Sequence, residues 1–287
     1  MKILKYLFYT ILTLVVLAAL GIGGFIYKAK KGINFYETKP HILDKSYGEN
    51  SILVISKTNA FRHGEAIKYS RPILEEIAAK NNWEIYQTED AGIFNKEQLS
   101  LFNLVVCNNC SGKIMNAAQR QLFKKYINDG GGFVGIHAAG DGSHRWDWYA
   151  DTLIGARFSH HPIKYHIQQG KLMKDSSIDS AHHFNFELPD KFSVEDEWYV
   201  FYDSPRENNV NILYTLDETG LDWDGRLGPF FKDKTFGMGD DHPIVWYKDV
   251  GQGRSFYTAM GHDRNAWTND THKSILEQGI SWAGNFK

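Results

Sequence analysis

The residues in this chain best suited to chemistry are histidines set beside glycines, carboxylates and strand ends. Residues 130–142 read Gly-Gly-Gly-Phe-Val-Gly-Ile-His-Ala-Ala-Gly-Asp-Gly. The leading glycines release a helix, Phe133, Val134 and Ile136 make a short apolar strand, and His137 stands where that strand ends. Gly135, Ala138 and Ala139 leave the space that a sharp strand-to-helix elbow needs, and such an elbow holds one polar side chain above a sheet edge. An imidazole placed there titrates near neutral pH, which suits proton transfer. The same residues also fit a tight turn in which the ring does nothing.

Other candidates are scattered along the chain. Arg62 and His63 lie in the loop that follows the first apolar strand, and Asp141 lies in the elbow segment itself. His161 precedes Pro162, the run Glu195-Asp196-Glu197 adjoins Trp198 and Tyr199, and His262 ends the last apolar strand before Asp263. Each has a plain structural reading as well: a loop histidine, a turn former, an ion-pair partner, a core aromatic, a helix cap. Asp240, Asp241 and His242 have the residue types of metal ligands, but they close a Gly- and Asp-rich loop that is equally a solvated surface. Cys107-Asn108-Asn109-Cys110 is a CxxC with no second pair for zinc, and Ser-Gly follows it where a redox pair would open a helix.

The elements that must position these residues alternate. Ile52–Ile55, Trp83–Tyr86, Leu104–Cys107 and 133–136 read as short strands. Helices are expected over about 65–80, where Pro72 implies a kink or a late start, and about 116–128, ended by Gly130. Such alternation predicts an α/β fold with a mostly parallel sheet and helices on both faces. Ligands of open α/β sheets bind beyond the carboxyl ends of the strands, so the loops carrying Arg62 and His63, Cys107 to Ser111, and His137 and Asp141 should share one edge. Beyond residue 150 the reading gives an alternating stretch over 163–167, a strand within 192–202, another over 210–216, and a long loop over 222–241. A hairpin follows, 243–247 and 254–260 about a Gly251-Gln252-Gly253 turn. Thr268 or Asn269 caps the final helix.

Composition narrows the classes. The 287 residues carry a formal charge of −2 and are 43% hydrophobic, enough for a sizeable core and without the basic stripe that nucleic acid requires. Residues 3–27 are almost wholly apolar, Lys5 being the single charge. That run is long enough to span a bilayer and longer than the core of an ordinary signal peptide. The expected organisation is an anchor over 1–27, a polar linker over 28–48 and one domain over 49–287.

Several ordered motifs together carry a resemblance. They are Ser56-Lys57-Thr58 with Phe61-Arg62-His63, the Gly-Gly-Gly-Phe-Val-Gly-Ile-His-Ala-Ala segment, and Phe158 with His161-Pro162. Asp196-Glu197-Trp198-Tyr199, His242-Pro243 with Trp246, and Gly253-Arg254-Ser255-Phe256-Tyr257-Thr258-Ala259-Met260-Gly261-His262 complete the set. From about 51 to 284 the chain resembles the ThuA-like (trehalose utilisation) family. The resemblance implies a flavodoxin-like fold akin to class I glutamine amidotransferases, and an association with bacterial sugar metabolism, oxidised 3-keto disaccharides included. Amidotransferases carry Cys at the elbow where this chain has His137; without a thiolate to form an acyl-enzyme, glutaminase activity is not expected. The chain departs from the family pattern at Ala181-His182-His183-Phe184-Asn185, where a His-Pro pair is usual.

On this basis His137, Glu197 and His262 are the expected catalytic groups, and Arg62, His63, Asp141, His161 and Tyr199 the expected substrate contacts. Two routes stay open for the chemistry: His/Glu acid–base catalysis, or a divalent metal held by His137, Glu197 and His262. A non-catalytic carbohydrate-binding partner is the alternative to an enzyme. The expected ligand is a small carbohydrate, the expected second partner a membrane through the N-terminal helix, and the sugar association favours a periplasmic domain.

Overall fold

The computed structural model describes residues 2–31, 35–178, 188–226, 228 and 234–286; the His182–His183 segment lies outside them. The chain opens with α1 (Lys2–Lys31), in which Lys2–Tyr27 has a mean hydropathy of 2.2 and is long and apolar enough to cross a membrane. Then come β1 (Ser51–Ile55), α2 (Gly64–Lys80), β2 (Glu84–Thr88), α3 (Lys96–Leu99), β3 (Leu104–Asn108), α4 (Ala117–Asn128) and β4 (Gly132–Ile136). The remainder comprises β5 (Phe158–His160), β6 (Gln168–Lys174), β7 (Lys191–Asp196), β8 (Val200–Phe201), β9 (Asn211–Asp217), β10 (Pro243–Val250), β11 (Gly253–Thr258), α5 (Arg264–Thr268) and α6 (Asp270–Gly284).

Nine strands form one sheet in the order β2-β1-β3-β4-β11-β10-β9-β6-β7, and β5 pairs with β8 beside it. The pairings from β2 to β11 are parallel and those from β11 to β7 antiparallel. The expectation of a mostly parallel sheet therefore holds for one half only. Helices do cover both faces. Gly132 and Phe133, adjacent and so on opposite faces, meet α6 and α4 respectively: a Cβ on Gly132 would lie 2.2 Å from the Ala283 carbonyl oxygen, while Phe133 packs on Phe123 at 6.1 Å.

Local chemistry accounts for the helix ends. Asn116 and Gln119 form a reciprocal capping box on α4, and Asn269 caps α6 by accepting from His272 N–H. The helix α2 begins at Gly64 and runs through Pro72, so the late start expected from that proline does not occur. Residues 163–167 are not the alternating stretch expected; strand structure begins at Gln168.

The contact at Gly132 sets the spacing of β4 against α6. Because the neighbour is backbone, it cannot yield as a side-chain tip would. Gly132→Ala is expected to cost roughly 1–3 kcal/mol by overpacking, read as a lower urea midpoint at an unchanged m-value. An unchanged midpoint would show that α6 moves freely there.

Candidate functional site

The carboxyl ends of β1, β4 and β11 release the loops that carry His63, His137 and His262. The elbow at His137 is strained: its φ is 48°, in the left-handed region that non-glycine residues avoid. Its backbone is held there by Tyr257, whose hydroxyl donates to the His137 carbonyl at 2.8 Å. The turn itself is a short 3-10 segment, His137–Gly140. Gly140 is required beside it, since a Cβ would lie 2.3 Å from the Tyr257 hydroxyl oxygen.

The His137 ring is wholly buried. Its Nδ1–H donates to the Ala259 carbonyl at 2.7 Å, which turns Nε2 toward the site, the arrangement that orients metal-ligating imidazoles. That Nε2 accepts a hydrogen bond from His262 Nδ1–H at 3.1 Å and lies 3.2 Å from Glu197 Oε2. His262 Nδ1 is 3.3 Å from the same carboxylate oxygen. Three atoms able to serve as ligands once the shared proton is displaced therefore form a nearly equilateral triangle. His63 offers a fourth, and all four ligand atoms lie within 4.8 Å of one another.

Two atoms in this group have no hydrogen-bond partner although both are buried: Glu197 Oε2 and His63 Nδ1. The two ring nitrogens near Oε2 are close to it without directing an N–H along a hydrogen-bond axis. Burial of an unsatisfied carboxylate oxygen is costly. The donor set fits a divalent transition ion, because bonds of about 2.0–2.2 Å place neighbouring tetrahedral ligands about 3.3–3.6 Å apart.

The electrostatics agree with a coupled cluster. Burial pushes the Glu197 carboxyl up, but the His137 and His262 rings outweigh it and hold the group well below the usual carboxylate range. Burial pulls His262 down, while the Glu197 carboxylate leaves it net raised above the ordinary imidazole value. His63 is pushed down to about 2 by burial and by the His137 and His262 rings, so it is neutral, with a lone pair to offer.

Glu197 arrives from the far edge of the sheet. Neighbouring strands lie about 4.8 Å apart, so a flat sheet would hold β7 roughly 19 Å from β11. The antiparallel half curls back instead, and Asp196 fastens it. Its carboxylate accepts from Gly261 N–H at 2.6 Å, His262 N–H at 3.0 Å, Asp263 N–H at 2.8 Å and Glu197 N–H at 2.9 Å. Sequence reasoning left Asp196 without a role of its own. The available signal was strand alternation, which buries Val194 and Asp196 on one face of β7. Asp196→Asn replaces one acceptor by a donor facing those N–H groups. It is expected to destabilise the fold by roughly 2–4 kcal/mol and to loosen His262, read as a lower melting temperature together with weaker metal retention. Full metal retention would mean that Asp196 does not position the site.

A cavity of about 340 Å³ opens beside the cluster, lined by Phe61, His63, Asp141, Phe158, His161, Ile163, His166, Glu197, Tyr199 and His262. His137 lies beneath it with Tyr199 tilted over its ring at 4.2 Å. His161 Nδ1 is 3.2 Å from Glu197 Oε1 and donates to the Pro162 carbonyl at 2.7 Å. Asp141 accepts from Ser143 N–H at 2.8 Å, and burial lifts its carboxyl to about 6 against that bond. Arg62 does not enter this cavity. Its guanidinium forms a two-bond pair with Glu89 at 2.7 and 2.8 Å, and it lines an adjoining space of about 480 Å³ that shares Phe61, His63, His166 and His262. Phe61 and His166, not singled out in the sequence, border both spaces.

The other candidates resolve differently. His242 is fully buried and commits Nδ1 to Glu218 Oε1 at 2.6 Å and Nε2 to the Tyr199 carbonyl at 2.8 Å. Asp241 binds Arg206 Nε at 2.8 Å and Ser204 at 2.6 Å. His242 therefore braces the Tyr199 backbone, and both of its ring nitrogens are committed to protein partners. Cys107 and Cys110 are buried free thiols, and burial pushes the Cys110 thiol far up, so Cys110 is no ready nucleophile.

Comparison with known proteins places the chain in context. The family model described as ThuA, trehalose utilisation, matches residues 51–283. A search of curated proteins gives no match. Among solved structures, a ThuA-like protein from Bacteroides uniformis is 25% identical, with a TM-score of 0.65 over 85% of this chain and 94% of its own. A ThuA-like protein from Parabacteroides merdae is 21% identical, with a TM-score of 0.60 over 84% of this chain and 90% of its own. A cytoplasmic protein from Salmonella typhimurium is similar in fold at 11% identity, with a TM-score of 0.51 over 81% of this chain and 99% of its own.

Proposed function

The chain belongs to the ThuA, trehalose utilisation, family, and from that premise we propose that it is a metal-dependent enzyme acting on a keto-sugar or keto-glycoside. The parallel strands β2-β1-β3-β4-β11 follow the 2-1-3-4-5 order of flavodoxin-like sheets, which supports reading the carboxyl edge with its elbow histidine as the ligand edge. One observation carries the reading: His137 Nε2, His262 Nδ1 and Glu197 Oε2 face one another at 3.1–3.3 Å, and the carboxylate oxygen is buried without a hydrogen bond.

His137, His262 and Glu197 would hold a divalent ion, with His63 as the fourth donor. Such an ion polarises a carbonyl oxygen and so acidifies the neighbouring C–H. The chain's own residues supply the rest. Tyr199 and Phe158 form an apolar wall for a sugar face, their rings 4.5 Å apart. Asp141, with its carboxyl near 6, is the cavity group best matched to taking and returning a proton at neutral pH. His161 steadies the second oxygen of Glu197. No elbow thiol exists, so acyl transfer from glutamine has no nucleophile.

The test is turnover of a 3-keto disaccharide and of its unoxidised parent by the full-length chain loaded with zinc or manganese. The proposal expects conversion of the keto compound alone. Binding of the sugar without conversion would leave a carbohydrate-binding partner as the function. Lys2–Tyr27 is proposed as a membrane anchor and the domain as periplasmic; protease shaving of spheroplasts that left the domain intact would contradict that side.

A further inference from the structure

We propose that the mouth of this cavity seats on the lipid bilayer, with Phe61, Ile163 and Tyr165 entering the headgroup region. The proposal rests on reading Lys2–Tyr27 as membrane-spanning. The domain's exposed large apolar side chains include Phe61 at 70%, Tyr165 at 50% and Ile163 at 36% exposure. Phe61 and Ile163 line the cavity itself, and Tyr165 adjoins His166, which also lines it. Lys164 lies over the Tyr165 ring at 4.7 Å. Aromatic rings with a lysine beside them are what the membrane–water interface selects.

The tether decides which face meets the membrane. The expected linker over 28–48 is largely not a free tether, because residues 35–48 dock on the domain. Asn59 Nδ2 donates to the Phe35 carbonyl at 2.9 Å, Gln119 to the Glu37 carbonyl at 3.1 Å, and Lys57 pairs with Glu37. Further along, His41 bridges Asp90 and Tyr86, and Gln98 Oε1 accepts from Leu43 N–H.

Asn59 belongs to the loop that carries Phe61 and His63, and Ser111, whose carbonyl accepts from Asn59 N–H, donates its hydroxyl to the Phe61 carbonyl. The chain thus leaves the anchor and reaches the domain at the site's own edge. Three residues separate Lys31 from Phe35, so the four steps between them reach at most about 14 Å. A domain of this length is on the order of 45 Å across, so the amino edge of the sheet cannot take the place of the site edge beside the bilayer. Phe35 and Tyr36, 66% and 37% exposed, extend the apolar rim toward the anchor.

The experiment uses the full chain in phosphatidylethanolamine–phosphatidylglycerol vesicles. An environment-sensitive fluorophore is attached at Phe61→Cys, at Tyr165→Cys, or at Asp129→Cys on the opposite edge, with the unsubstituted chain setting the background from its two buried thiols. Spin-labelled lipids are expected to quench positions 61 and 165 several-fold more than position 129. Equal quenching at all three positions, in chains that float with the vesicles, would overturn the docking. Failure to float would overturn the anchor and the docking together. Neither readout involves sugar turnover, so the result stands apart from the proposed chemistry.

Discussion

Glu197→Gln is expected to release the metal and to lower turnover of the keto-sugar by roughly 10²–10⁴-fold or more, the scale on which a positioned acid–base group or charge clamp acts. The amide keeps the size of the side chain but not its charge, so three imidazoles would face the ion with a neutral oxygen in place of the carboxylate. The fold should survive. Asp196, not Glu197, fastens the 261–263 loop, and His137 keeps its bond to the Ala259 carbonyl. Circular dichroism and a melt on the metal-free variant separate the two effects. Retained turnover in the presence of a chelator would contradict a metal role. A collapsed melt would make Glu197 structural.

Acid is expected to begin destabilising the domain above the pH that titrates ordinary carboxylates. Outside the cluster, His144, His160 and His272 are each pushed down to about 4, with burial the leading cause. His144 spends Nε2 on the Cys110 carbonyl, and His272 spends Nδ1 on the Ala266 carbonyl. A base whose folded pKa lies below its unfolded value of about 6.5 binds its proton more readily when unfolded. Stability is therefore full above 6.5 and falls as pH drops toward 4. For the fully buried His144 and His272 the loss is on the order of 3 kcal/mol each, at 1.36 kcal/mol per pKa unit. Asp141, raised to about 6, works in the opposite sense and offsets about one histidine; Asp196, also raised by burial, offsets further. The histidines leave a net loss toward acid, in a fold whose whole stability is typically only about 5–15 kcal/mol. A urea midpoint that stayed level between pH 7 and pH 4.5 would contradict this balance.

Strand positions alone made half of this site legible, and the motif resemblance supplied Glu197 and His262. The strand-ending positions of His63 and His137, and the rule that ligands meet the carboxyl edge, were enough to bring the two rings together. The triglycine elbow announced itself by composition. Glu197 was different. Its approach depends on β6, β7 and β9 pairing antiparallel and curling the sheet back, and those pairings join segments far apart in the chain whose local pattern is weak. The apolar alternation over 163–167 pointed to a strand where the chain forms a loop, with Ile163 turned to the cavity. His242 misled in the opposite direction, because its neighbours Asp240 and Asp241 suggest ligands, while burial against Glu218 and the Tyr199 carbonyl makes it a brace. The stretch over 28–48 was expected as a polar linker; the hydrogen bonds that hold Phe35, Glu37 and Leu43 are made with Asn59, Gln119 and Gln98, far along the chain.

The central claim is that His137, Glu197, His262 and His63 form a metal centre, and elemental analysis of the full-length protein purified without chelators tests it most directly. The account predicts close to one divalent transition ion per chain, retained through dialysis, removed by chelation and absent from the Glu197→Gln protein. A wild-type protein that carries no such ion, and that takes up none from micromolar zinc or manganese, would contradict it.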